Sequence, residues 1–217
     1  MKRILVVDDH PLLREGLERV IIADPEFAVC GAAGSVQEAL QLIDEAEPDL
    51  VLTDLTLPGR NGLELIKDLR ATHPDLPVLV LSMHDEMIYA ERALMAGARG
   101  YVMKEAAADH LLDAIRTVLA GGVFASKAVT SHFLNSFSGN SRQAKPTFPL
   151  KRLTDREMEV FELIGAGKGN PEIGQQLGIS PRTVDAHRAH IREKLGLATG
   201  GELVRYAIRW AEAGSPS

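Results

Sequence analysis

The stretch Asp49–Ile66, DLVLTDLTLPGRNGLELI, decides the fold. Its first part, Leu50–Thr53, is a short apolar run of strand length, and it stops at a single carboxylate, Asp54. A loop rich in turn formers follows (Leu57-Pro58-Gly59-Arg60-Asn61-Gly62), and Leu63–Thr72 then has helical periodicity. Strand, polar residue, loop and helix in that order form half of a parallel crossover unit. Moving outward, the same pattern recurs. Ile4–Val7 stops at Asp8-Asp9 and leads to a helix from Pro11 to about Ala23. Ala28–Ala33 leads to Ser35–Ala46, where Ser35 and Glu38 predict a capping box. Val78–Leu81 stops at Ser82 and leads to Met87–Ala96; Gly100–Met103 stops at Lys104 and leads to Asp109–Ala120.

Three of these runs are apolar without alternation, as expected of strands covered on both faces. Five units with right-handed crossovers predict an α/β doubly wound five-stranded parallel sheet. The flavodoxin-like order 2-1-3-4-5 sets the first and third strands side by side, so Asp8, Asp9 and Asp54 meet at the carboxyl edge. Close carboxylates repel one another unless a cation neutralises them. Carboxylate oxygens with few other ligands favour a hard, hydrated ion, which points to Mg²⁺. One carboxylate can then take a phosphoryl group as an acyl phosphate, and Asp54, on the central strand, is the predicted nucleophile. The Ser82 hydroxyl and Lys104 ammonium can each stabilise one oxygen of the transferred group. A phosphohydrolase or flavin enzyme on the same sheet is the rival reading.

Composition sets the outer limits. The 217 residues are 45% hydrophobic and 25% charged, enough for two small domains with packed cores. Cys30 is the single cysteine, so no internal disulfide can form; it reads as a small buried hydrophobe in a cytoplasmic protein. No apolar stretch approaches the ~20 residues of a membrane span, and none after Met1 reads as a signal peptide. Residues 1–124 carry 11 Lys and Arg against 21 Asp and Glu, a net of −10, whereas 125–217 carry 13 against 9, a net of +4. An acidic front half and a basic back half imply two domains, the second suited to a polyanion. The predicted division is 1–124, a linker over 125–149, part helical at Lys127–Phe137 and polar at 138–146, and a second domain over 150–214.

That second domain reads as four helices. Thr154 and Glu157 form a capping box before Met158, Val160, Phe161 and Ile164. Asn170 and Pro171 start the next helix, Gly178-Ile179-Ser180 makes a turn, and Ser180 with Pro181 starts a third that runs to about Leu195. The last helix covers Gly201–Trp210. Helix, short turn and helix is a DNA-binding arrangement. The third helix carries Arg182, His187, Arg188, His190, Arg192 and Lys194 opposite apolar Val184, Ile191 and Leu195. Taken alone, this fits a solvated cationic helix as well as a DNA reader.

Two resemblances sharpen the reading. ILVVDDH (4–10), DLVLTDLTLPGRNGLELI, VLVLSMH (78–84) and GARGYVMK (97–104) resemble the receiver domain of two-component response regulators over about residues 2–121. The resemblance implies that Asp54 accepts a phosphoryl group from a sensor histidine kinase. It implies that Asp9 and Asp54 bind Mg²⁺ directly, Asp8 through water, with the Thr56 carbonyl as a further ligand. It makes Ser82 and Tyr101 a switch pair, in which Ser82 moves toward the phosphoryl group and Tyr101 turns inward. Many receivers have proline after the lysine, but here Glu105 follows Lys104. His84 overlooks the site or is a plain surface histidine; both readings stand. LTDREMEVFELIGAGKGNPEIGQQLGISPRTVDAHRAHIREKLG (153–196) resembles the LuxR-type output domain, and the combination that of the NarL/FixJ family. This implies a DNA-binding transcriptional regulator rather than an enzyme, acting on double-stranded DNA as a homodimer when phosphorylated. Arg182, Thr183, Asp185, Ala186, His187, Arg188, Ala189 and Lys194 would lie on or beside the DNA face. Asp185 and Ala189 stand where some relatives have lysines, so the operator cannot be borrowed from them. A constitutive DNA-binding protein that uses its front domain as a scaffold is the second rival.

Overall fold

The computed structural model describes residues 1–131 and 149–213, which fall into two compact units, Met1–Ser141 and Arg142–Ser217. In the first, strands β1 (Lys2–Val7), β2 (Phe27–Ala33), β3 (Leu50–Thr53), β4 (Val78–Ser82) and β5 (Gly100–Met103) alternate with helices α1 (Pro11–Ile22), α2 (Val36–Ala46), α3 (Gly62–Thr72), α4 (Glu86–Ala96) and α5 (Ala107–Leu119). The strands are all parallel in the order β2-β1-β3-β4-β5, the predicted doubly wound sheet. Alternation divides the strand side chains between two cores. Ile4, Val6, Leu50, Leu52, Leu79, Leu81 and Val102 share one cluster with Leu17 and Ile21 of α1 and Leu111, Ile115 and Val118 of α5. Leu5, Val51 and Val80, one residue out of step, are equally buried. Burial on both faces explains the lack of polar alternation in these runs.

Local chemistry fixes the helix starts, with two departures from expectation. Ser35 accepts from Glu38 N, but the Glu38 carboxylate accepts from Gly34 N rather than Ser35 N, so the box closes one residue upstream. Ahead of the second helix of the second unit, Gly169 rather than Asn170 is the cap residue, and Glu172 Oε2 accepts from Gly169 N at 2.8 Å. The peptide between Lys104 and Glu105 is trans, no cis bond occurring among the described residues.

After α5 the chain turns back along the open edge of β5. Phe124 N donates to Arg99 O at 3.0 Å and Tyr101 N donates to Phe124 O at 2.9 Å. Ser126 then donates to Glu86 Oε1 of α4 at 2.8 Å, and residues 127–131 are helical. The remainder of the expected helix at Lys127–Phe137 and of the polar linker to residue 148 lies outside the described residues.

The second unit contains α6 (Asp155–Gly165), α7 (Asn170–Leu177), α8 (Pro181–Leu195) and α9 (Gly200–Ala213). The expected capping box at Thr154 and Glu157 is present. Met158, Val160, Phe161, Ile164, Ile173, Val184, Ile191 and Leu203 form the core, with Phe161 against Tyr206 and Trp210 at ring distances of 5.8 and 5.5 Å. Gly174 lets the turn between α7 and α8 close, since a Cβ there would stand 2.7 Å from Ile179 O.

Candidate functional site

The carboxyl edge of the first unit gathers the polar residues that end the strands. Asp8 and Asp54 are 2% and 4% exposed, and the Lys104 ammonium stands 2.7 Å from an oxygen of each. Adjacent strands β1 and β3 bring the two carboxylates together, and β5 delivers the lysine at the end of its own run. Burial pulls the Lys104 pKa down, but the hydrogen bonds it donates to Asp54 and Asp8 outweigh it and hold the ammonium above its ordinary value. Asp54 Oδ1 is fixed in turn by Leu55 N at 2.6 Å.

Asp9 lies at the rim, one-third exposed. Its Oδ1 stands 2.7 Å from His10 Nδ1, yet outside hydrogen-bond geometry, and that oxygen is buried without a hydrogen-bond donor. Oxygens of Asp8, Asp9 and Asp54 lie within 4.8 Å of one another and of a His10 nitrogen. A buried carboxylate oxygen lacking a donor, in a converging set of carboxylates, fits a hydrated divalent cation, and this acidic cluster is typical of a Mg²⁺ site. The sequence reading missed His10, whose backbone N also donates to Asp8 Oδ1 at 2.8 Å; its adjacency to Asp8-Asp9 was the available signal. It also missed Arg14, which donates to the Asp8 carbonyl from one turn into α1.

The other predicted residues lie around this centre. Ser82 is fully buried at the end of β4, and its Oγ accepts from His84 N at 3.2 Å. Tyr101 is 2% exposed and turned inward, its hydroxyl donating to His84 O at 2.8 Å. His84 is half-buried, with Nε2 2.8 Å from the hydroxyl of exposed Thr56 and its ring 4.5 Å from that of Tyr89. His84 thus touches the loops after β3 and β4 and the tyrosine of β5. The loop after Asp54 is held shut at Gly62: its N donates to Leu55 O at 2.9 Å, and a Cβ there would fall 2.1 Å from Asp54 O.

In the second unit, α8 exposes Arg182, Thr183, Asp185, Ala186, Ala189 and His190, while His187 and Arg188 are half-buried. Among the described residues Arg182, Arg188 and Arg192 have no acidic partner. Burial, with Arg156 nearby, lowers the His187 pKa, which favours the neutral ring. Lys194 donates to Glu157 Oε2 at 2.6 Å, an ion pair between α8 and α6. Burial raises the Glu157 pKa, but the hydrogen bonds from Lys194 and Thr154 prevail and set it below its ordinary value of 4.5. A depressed carboxylate contributes stability that is present above the unfolded value and lost as pH falls through the folded one. Glu157→Gln is therefore expected to lose less melting temperature than the parent between neutral pH and pH about 3. Equal losses in thermal melts would remove this pair as a source of acid sensitivity.

Comparisons with known proteins agree with both halves. Residues 4–116 match the response regulator receiver domain, and residues 151–207 match the bacterial regulatory proteins of the luxR family. The oxygen regulatory protein NreC of Staphylococcus aureus is 38% identical over 210 residues, 95% of this chain and 97% of that protein. A two-component response regulator of the LuxR family from Aurantimonas sp. SI85-9A1 is 37% identical, with TM-score 0.59, over 64% of this chain and 99% of that one. RcsB of Salmonella typhimurium shares the fold, with 23% identity and TM-score 0.71 over 96% of this chain and 97% of that one. RcsB has also been solved bound to the promoter P1flhDC with a phosphomimetic.

Proposed function

The chain belongs to the two-component response regulators, transcription regulators that join a receiver domain to a luxR-type DNA-binding domain, and from that membership we propose that phosphorylation of Asp54 controls its hold on DNA. The observation that carries this reading is the Lys104 ammonium shared by Asp8 and Asp54 beneath the donorless Asp9 oxygen. In our reading residues 1–124 are the receiver, 125–149 the linker and 150–214 the DNA-binding domain. Asp9 and Asp54, with the Thr56 carbonyl, would hold Mg²⁺, and Asp8 would support it from beside them. When bound, the ion neutralises charge on the incoming phosphoryl group.

An oxygen of Asp54 attacks phosphorus, the bond from phosphorus to the sensor kinase's histidine nitrogen breaks, and an acyl phosphate forms on Asp54. Lys104 is already on Asp54 and keeps a proton directed at the new phosphoryl oxygens. Ser82 swings its hydroxyl toward them. The backbone bond from His84 N to Ser82 Oγ and the bond from Tyr101 to His84 O tie that movement to Tyr101. The outcome is a changed receiver surface, a homodimer, and two copies of α8 placed in successive major grooves of double-stranded DNA. Arg182, Thr183, Asp185, Ala186, His187, Arg188, Ala189 and Lys194 form the DNA face. A chromosomal target and a kinase that signals to it place this work in the cytoplasm.

Intact mass after incubation with acetyl phosphate and Mg²⁺ tests the reading. One added phosphoryl group is expected, absent from Asp54→Asn and absent when Mg²⁺ is chelated. An adduct that persists in Asp54→Asn would move the acceptor elsewhere, and DNA binding indifferent to the adduct would make the receiver a scaffold.

A further inference from the structure

Asp185 is an anomaly on a surface meant for a polyanion. It stands exposed near the start of α8, with Ala186 beside it and Ala189 one turn on, also exposed. Residues four apart on a helix share a face, so Asp185 and Ala189 address the same strip of any groove the helix enters. The alanines are short and let the backbone approach closely, which makes the carboxylate the protruding group of that strip. A carboxylate facing phosphates weakens binding to every duplex. Its bonding explains why such a group is tolerable: Asn170 Nδ2, at the start of α7, donates to Asp185 Oδ1. One carboxylate oxygen is thereby anchored across the helix-turn-helix, with the closure at Gly174 holding the two helices in register. The second oxygen has no partner among the described residues.

We propose that Asp185, positioned by Asn170, selects the operator: its free oxygen accepts from the amino group of cytosine in the major groove and rejects bases that present a carbonyl there. The groove chemistry supports this direction. Cytosine offers N4 as a donor, guanine and thymine offer only carbonyl acceptors to the same position, and adenine pairs its N6 donor with an acceptor at N7. A fixed carboxylate therefore favours cytosine, tolerates adenine, and is repelled by guanine and thymine. The carboxylate lowers affinity for DNA in general and restores it at one base pair, which raises the ratio of specific to non-specific binding. Asn170 acts as a positioning residue in this scheme, because without its amide the Asp185 side chain can turn aside.

The inference rests on the proposed DNA-binding role, and one experiment separates the two. The full-length protein, treated with acetyl phosphate and Mg²⁺, is used to select from a randomised duplex pool, alongside Asp185→Ala and Asn170→Ala. The parent is expected to enrich a motif with one column per half-site in which cytosine exceeds guanine and thymine by about tenfold. Asp185→Ala flattens that column alone and binds random duplex several-fold more tightly, having lost a negative charge. Asn170→Ala keeps the charge, so its random-duplex affinity stays at the parent level while the same column weakens; a merely structural loss would lower every column and the melting temperature together. An unchanged motif in Asp185→Ala overturns the inference and leaves the DNA-binding role standing. A parent that enriches no motif overturns both.

Discussion

Gly62→Ala is expected to cost the first unit on the order of 3 kcal/mol or more, through collision rather than through backbone angle. The Cβ would stand 2.1 Å from Asp54 O and 2.9 Å from Leu55 Cα, and both neighbours are main chain, which cannot rotate away. The surroundings hold that main chain from several sides: Gly62 N bonds to Leu55 O, Leu55 N bonds to Asp54 Oδ1, and Leu55 is fully buried. The helix must therefore back off, and it takes with it the loop that aims Asp54, so phosphoryl uptake falls as well. Gly59 provides the control within the same loop. Its φ of +78° disfavours alanine, but a Cβ there meets nothing within 4 Å. Gly59→Ala is expected to cost only about 1 kcal/mol. Urea denaturation of the two variants makes the comparison, and equal midpoints would refute the steric account.

Removing the cation of the pocket should be comparably severe. Lys104→Ala leaves Asp8 and Asp54 buried and facing a common point, 2.7 Å from each, that no longer carries positive charge. Breaking a buried ion pair from one side typically costs ~3–5 kcal/mol, because the orphaned charge stays desolvated. The loss should have two signatures. Like charges buried side by side repel, and a bound cation relieves the repulsion. Mg²⁺ should therefore stabilise the variant more than the parent, since the ion takes over part of the neutralisation. Phosphoryl uptake should fall by about 10²-fold, the usual effect of removing one donor to a developing oxyanion. Melting curves with and without Mg²⁺ check the first part, and an Mg²⁺ response no larger than the parent's would contradict it.

Much of this arrangement is legible in the sequence because it depends on the order of residues along the chain. A polar residue that ends an apolar run must emerge at a strand end, so Asp54, Ser82 and Lys104 announce a common edge once the sheet is parallel. Interactions between distant residues leave no such trace. Glu157 and Lys194 are 37 positions apart, and nothing in either helix shows that the last basic turn of α8 folds back onto the capping carboxylate of α6. Gly62 is legible as part of a loop, but the demand it meets is space against Asp54, which only the folded loop creates. Asn170 reads as a helix cap by its type and its proline neighbour; the glycine before it takes that role and leaves the amide to reach Asp185. Whether the Lys104–Glu105 peptide is cis could not be read from the residues; the structure shows the ordinary trans form.

Phe124, five residues past the end of α5, has a consequence for how the protein avoids its own kind. A parallel sheet that ends in a bare strand offers unpaired amides and carbonyls to any extended chain, the template on which aggregates grow. Here Phe124 occupies the two backbone groups that Arg99 and Tyr101 turn outward, and Gly100, lacking a side chain, lets it come close: a Cβ there would stand 3.1 Å from Phe124 O. The chain's way out to its second half thus doubles as a selvedge on the sheet. Whatever releases that border, whether proteolysis or a truncation that ends with α5, would return those two backbone groups of the β5 edge to solvent and to any extended chain.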